Sequence, residues 1–199
     1  MIKKILIGLV VVVAIAIVVV ATRPDTVRVE RSTTISAPAD VTFAFVNDFH
    51  QWGNWSPWAK LDPNEKLTYE GPANGVGSSM SWAGNDKVGE GKMTVTDSKP
   101  GALVAVKLEF IKPFPMQSDV EFAFAPAGAD TTVKWAMTNH PNFVGKAMGL
   151  FMDMDKMVGP DFEKGLSSLK GLAEAEAKKQ ADAKKTAEAA PAAPPAPQQ

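Results

Sequence analysis

The side chains best suited to chemistry in this chain are few and scattered. Its two histidines, His50 and His140, have no carboxylate at metal-ligand spacing, which argues against a zinc site. Asp153 and Asp155 resemble a carboxylate pair, but two positions apart on a helix they point to nearly opposite sides and read as surface or cavity-mouth groups. Gly75-Val76-Gly77 and Gly89-Glu90-Gly91 do not open a helix after a strand, as a phosphate loop must, and read instead as glycines that let a curved strand bend. No Ser-His-acid arrangement or activated lysine stands out, and Tyr69 is the only tyrosine. The absence of cysteine removes disulfides, thiol catalysis and zinc-thiolate sites. The spacing calls for no cofactor and no metal.

The apolar side chains are more informative. Trp52, Trp55 and Trp58 fall within seven positions, and clustered indoles that bury their rings while seeking one partner each suggest a wall or lid of an apolar cavity. Met80, Met93, Met137, Met148, Met152, Met154 and Met157 add adaptable thioethers, which suit a hydrophobic pocket and equally an ordinary core.

These residues must be positioned by a body of ordinary size. The chain has 199 residues, 45% of them hydrophobic, and the polar ends leave about 150 residues for one core. Lys and Arg number 21 against 22 Asp and Glu, for a net charge of -1, so no basic surface for nucleic acid is supplied.

The ends differ in kind. Lys3 and Lys4 precede an unbroken apolar run from Ile5 to Ala21, about 26 Å as a helix and close to the hydrocarbon thickness of a bilayer. Residues 1–23 are read as a retained transmembrane anchor; the alternative is a cleaved signal peptide with Val19 and Ala21 before the cut. The charge flanks place the short N-terminus in the cytoplasm and the folded domain outside, periplasmic in a Gram-negative cell. Residues 180–199 are assigned to an Ala- and Pro-rich disordered tail.

Between them lies one domain, residues 24–179. Val27, Val29, Arg31, Thr33 and Ile35 alternate as the buried face of a first strand. Ser36 or Asp40 is expected to cap a short helix with Pro38 in its first turn. A series of strands follows, and in the last three Val104, Val106, Leu108 and Phe110, then Val120, Phe122 and Phe124, then Val133, Trp135 and Met137 share one face. The cover for that face is a helix from Asn142 to about Lys179. It has stripes at Phe143, Ala147, Leu150, Phe151 and Met154 and at Phe162, Leu166, Leu169 and Ala173, with a kink or restart expected at Gly159-Pro160.

Ile35-Ser-Ala-Pro38, Trp55-Ser-Pro-Trp58, Gly75-Val-Gly77 followed by Trp82, Gly89-Glu-Gly91, Thr132-Val-Lys-Trp135, and Asp161-Phe-Glu163 with Gly165-Leu166 resemble, in order and spacing, the SRPBCC superfamily. This is the START-like or Bet v 1-like group, and its polyketide cyclase/dehydrase-like members are the nearest in pattern. The resemblance implies an α+β helix-grip fold, a curved antiparallel sheet wrapped around a long C-terminal helix, here preceded by a transmembrane helix. It also implies a hydrophobic small molecule or lipid bound in an internal cavity; joined to the anchor reading, this makes a lipid or quinone-like compound taken from the adjacent bilayer the ligand expected. Sequence parity combined with that fold assigns Trp55, Trp58, Met80, Trp82, Met93, Phe110, Phe122, Trp135, Met137, Met148, Phe151 and Met152 to the cavity. Arg31 and Ser118 are the inward polar groups able to orient a head group. Replacing Trp135 by alanine is then expected to weaken uptake while leaving the domain folded. Two other functions fit the resemblance: a cyclase or dehydratase dependent on Arg31, His50 or Glu90, and an interaction module of the Hsp90-ATPase-activator type.

Overall fold

The computed structural model describes residues 2–189. An apolar helix α1 (Ile2–Ala21) leads into β1 (Val27–Ile35), α2 (Ala39–Asn47), a 3-10 turn (Phe49–Gln51) and the single turn α3 (Trp52–Trp55). Six strands follow: β2 (Lys66–Glu70), β3 (Ser79–Ala83), β4 (Glu90–Lys99), β5 (Leu103–Lys112), β6 (Met116–Ala127) and β7 (Asp130–Asn139). The chain ends in α4 (Phe143–Met148) and α5 (Met154–Ala189).

The seven strands make one antiparallel sheet in the order β1-β7-β6-β5-β4-β3-β2, so the first strand closes against the last. Because side chains alternate across a pleated strand, the register sorts the inner face into rows. One row runs Val29, Met137, Val120, Val106, Val95, and all five are buried. The fold and the strand faces are those expected from the alternation.

α5 covers the β1 side of this face with Phe162, Leu166, Leu169 and Ala173, all buried, as their spacing predicts. α2 adds Thr42, Phe43 and Val46 to the core. Its N-cap is Pro38 with no side-chain cap bond, so neither Ser36 nor Asp40 plays the expected part; the Ser36 amide instead donates to Glu174 Oε1 on α5 at 2.8 Å.

The helix does not restart at Gly159-Pro160. α5 runs through Pro160, and the interruption is at residues 149–153, where Gly149 caps α4 and Asp153 Oδ1 accepts the Lys156 amide. Gly159 has a packing role instead: a Cβ there would overlap the guanidinium of Arg31, so this glycine serves a close approach between helix and strand. At its other end α5 continues past Lys179 to Ala189, supported by Lys178–Asp182 and Gln180–Glu176 one turn apart. Residues 190–199 of the expected tail lie outside the described residues.

Candidate functional site

The tryptophan segment is fixed by its own indoles. Trp52 Nε1 donates to the Val46 carbonyl at 2.9 Å and Trp55 Nε1 to the Phe45 carbonyl at 3.1 Å, which ties α3 back onto α2. The rings then fill space that an empty cavity would need. Trp135 stacks on Phe162 at 4.1 Å with the planes 7° apart, and on Phe122 at 4.9 Å. The edges of Trp55 and Trp58 meet it at 5.6 and 5.8 Å. Trp55, Phe122, Trp135 and Met137 are therefore packed core, with Trp58 half-buried at its border. The expectation that the domain stays folded when Trp135 is truncated to alanine runs against this packing.

Arg31 has the inward parity expected of it, but its charge is already engaged. Nη1 and Nη2 donate to both oxygens of Asp155 at 2.7 and 2.9 Å, and Nε donates to Glu163 Oε1 at 2.8 Å. The guanidinium holds the Asp155 carboxyl below the ordinary aspartate range, and its own pKa is raised by the two carboxylates, Asp155 foremost. Arg31 thus clasps the first turns of α5 to β1.

Met148, Phe151 and Met152 are a clear correction. They stand on the surface, Phe151 at 89% exposure, because the break at residues 149–153 turns this stretch out of phase with the buried stripe of α5. The half of the candidate site built on the sheet holds together better. Two neighbouring rows cross the inner face: Asn139, Ser118, Leu108, Met93, Met80 and Tyr69, then Met116, Phe110, Gly91, Trp82 and Leu67. Met93, Leu108, Phe110 and Trp82 are only half-buried, while Ser118, Asn139 and Met80 are buried. Trp82 lies across Gly91, meets Phe110 edge-on at 5.7 Å, and donates from Nε1 to the Val88 carbonyl at 2.9 Å.

Asn139 is the residue the sequence reading missed. Its parity continues Val133, Trp135, Met137 onto the inner face, which was the available signal; a polar side chain at the next inward position is the anomaly. Ser118 Oγ donates to Asn139 Oδ1 at 2.5 Å, and in this orientation of the amide Nδ2 turns away from the serine. Asn139 is 4% exposed and its Nδ2 has no partner. Trp135 Nε1, four residues earlier on the same face, is likewise buried without an acceptor. Both orphans are donors, so this face is short of acceptor oxygens.

Of the remaining candidates, His50 meets the Tyr69 end of the first row, across the sheet from Asn139, and the others are paired with neighbouring side chains. His50 Nδ1 is 2.9 Å from Asp48 and its ring stacks on Tyr69 at 4.1 Å; His140 Nε2 is 3.1 Å from Asp119; Glu90 pairs with Lys112 at 2.6 Å. A surface groove of about 620 Å³ runs between α2 and the later turns of α5, lined by Asp40, Asp48 and Glu176 among others. It does not touch the Asn139 row. Among the described residues no cluster of His, Asp and Glu is arranged to hold a metal ion.

No curated protein matches the chain. Solved structures match in fold. The Zhui aromatase/cyclase from Streptomyces sp. R1128 shares 16% identity at a TM-score of 0.54, covering 75% of this chain and 94% of its own. The Aha1 dimer from Colwellia psychrerythraea shares 18% at 0.53, covering 74% and 96%. The di-domain ARO/CYC StfQ from the steffimycin biosynthetic pathway shares 13% at 0.54, covering 79% of this chain and 52% of its own. At such identities these likenesses speak for the helix-grip architecture alone. The family profile described as polyketide cyclase / dehydrase and lipid transport matches residues 26–174, from the strand that carries Arg31 to the last buried turn of α5, and the chain belongs to that family of the SRPBCC superfamily.

Proposed function

We propose that this protein is a membrane-held binding domain that takes up an apolar molecule bearing at least one acceptor oxygen, such as a lipid ester or a quinone-like carbonyl compound. α1, with a mean hydropathy of 3.1 over its most apolar window, crosses the bilayer with Lys3 and Lys4 on the cytoplasmic side, and the folded domain lies on the other. The observation that carries the reading is the pair of buried, unpartnered donors on the inner face of β7. An orphaned buried donor costs about 1–3 kcal/mol, and a bound oxygen at Asn139 Nδ2 recovers part of that. The body of the ligand then rests on Met93, Leu108 and Phe110, which are half-buried without it.

The cyclase reading needs an acid or base beside the substrate. Arg31 is paired with Asp155 and Glu163 and Glu90 with Lys112, while His50, with Nδ1 on Asp48, stands beside Tyr69 at the opposite edge of the sheet from Asn139. Binding without turnover is the reading this arrangement supports.

The test is a titration of the full chain in detergent with a short-chain quinone and with a fatty-acyl ester, alongside native mass spectrometry of the protein as purified from membranes. Ser118→Ala combined with Asn139→Leu removes the polar pair while keeping the branched shape of the asparagine side chain. Binding of the oxygenated ligand is expected to weaken about tenfold, since a lost hydrogen bond is worth about 1.4 kcal/mol in affinity. The unliganded melting temperature is expected to hold or rise, because an unpaired amide is replaced by an apolar group. Undiminished binding by the double variant would refute the role of Asn139.

A further inference from the structure

Outside α1, many of the exposed apolar side chains gather at one end of the sheet. Ile111 and Phe114 form the tip of the β5–β6 hairpin, Phe143 and Val144 open α4, and Phe151 and Met152 follow it. Phe114 is 71% exposed. The register puts these segments together: Val27 is opposite Asn139, Asn139 opposite Ser118, and Phe110 opposite Met116. The start of β1, the exit of β7 into α4 and the β5–β6 tip therefore share the end from which α1 leaves. The turns at the far end, residues 71–78, 100–102 and 128–129, carry one exposed large apolar side chain among the described residues, Val76.

What covers the apolar end follows from its attachment. α1 packs against α4, Val20 is buried, and Lys146 on α4 pairs with Asp25 just after α1. Only residues 22–26 separate α1 from β1, and five residues reach at most about 17 Å. An apolar patch held that close to a span meets lipid headgroups before it meets anything else, and aromatic side chains favour that layer.

We propose that this end of the domain sits in the interfacial layer of the bilayer crossed by α1, with Phe114, Phe143 and Phe151 inserted among the lipids. The proposal rests on the reading of α1 as a span. It makes the Met116–Phe110 row, which lies at the same end, the side of the inner face nearest the lipid.

The chain has no cysteine, so single labels are clean. Full-length Phe114→Cys, Phe151→Cys, Val76→Cys and Val12→Cys variants, each carrying a polarity-sensitive fluorophore, are reconstituted in phosphatidylcholine/phosphatidylglycerol vesicles with and without a lipid-borne nitroxide. Labels at 114 and 151 are expected to lose about half their emission to the nitroxide, and the label at 76 almost none. Quenching at 114 and 151 no greater than at 76, with 12 quenched, overturns the proposal. If 12 is not quenched, the span reading fails by itself, and the labels at 114 and 151 still decide whether this face meets lipid. Self-quenching between copies at 151 without nitroxide quenching would make the face an interface between chains, and the proposal would fall.

Discussion

Trp135→Ala is expected to cost the domain about 3–5 kcal/mol, the usual range for emptying a large aromatic site in a core. The ring is 2% exposed and is held between Phe162 and Phe122, with the edges of Trp55 and Trp58 closing its sides. These neighbours are themselves anchored, Trp55 by its bond to the Phe45 carbonyl, so they cannot collapse far into the space. Against a total stability of about 5–15 kcal/mol, such a loss leaves a much-weakened or unfolded domain. Urea unfolding followed by tryptophan emission would read it as a lower midpoint with an unchanged slope. Trp135→Phe keeps one aromatic ring in the stack and loses the rest of the indole together with the unpartnered Nε1, so it leaves a smaller void and should cost less. If the two variants unfold alike, the ring is not the keystone its packing indicates.

The second large effect is at Gly91. A Cβ there would meet the six-membered ring of Trp82 and would lie 2.5 Å from the Glu109 carbonyl oxygen on the paired strand. The first neighbour is a side chain and can move; the second is backbone and cannot move without opening the β4–β5 ladder. Gly91→Val is therefore expected to destabilise by about 3 kcal/mol, at the upper end of overpacking effects. It should also shift the emission of Trp82 as the ring leaves Phe110 and its bond to Val88. Adding Trp82→Leu to Gly91→Val should restore only part of the midpoint, because the carbonyl clash remains. Full restoration would place the whole cost in the ring.

Much of this architecture was legible in the residues. Period-two alternation needs no partner to be read, so the inner face from Val104 to Met137 and the stripe Phe162, Leu166, Leu169, Ala173 came directly from spacing. What spacing cannot say is what lies opposite. Arg31 had the right parity, but its partners are 124 and 132 positions away, and only folding shows that they saturate it. Pro160 carried the strongest local signal for a helix interruption, yet α5 runs through it and the interruption falls at residues 149–153, while Gly159 beside it is the point where Arg31 crosses the helix. Met148, Phe151 and Met152 were placed in the site by extending one helical phase across that break. Asn139 was missed for a simpler reason: a search for apolar lining passes over a polar residue in the same alternation.

The last turns of α5 have a consequence for how unfolding is measured. From Lys178 to Glu188 every residue is exposed, and a free peptide of this length would hold little helix in water. Here the costly nucleus is already formed by the packed turns before Ala173, so each further residue only propagates the helix. This segment should therefore unwind from its free end gradually, with no shared transition. Far-ultraviolet circular dichroism will slope downward on warming while tryptophan emission stays level, and the two probes will disagree even though the core melts in a single step.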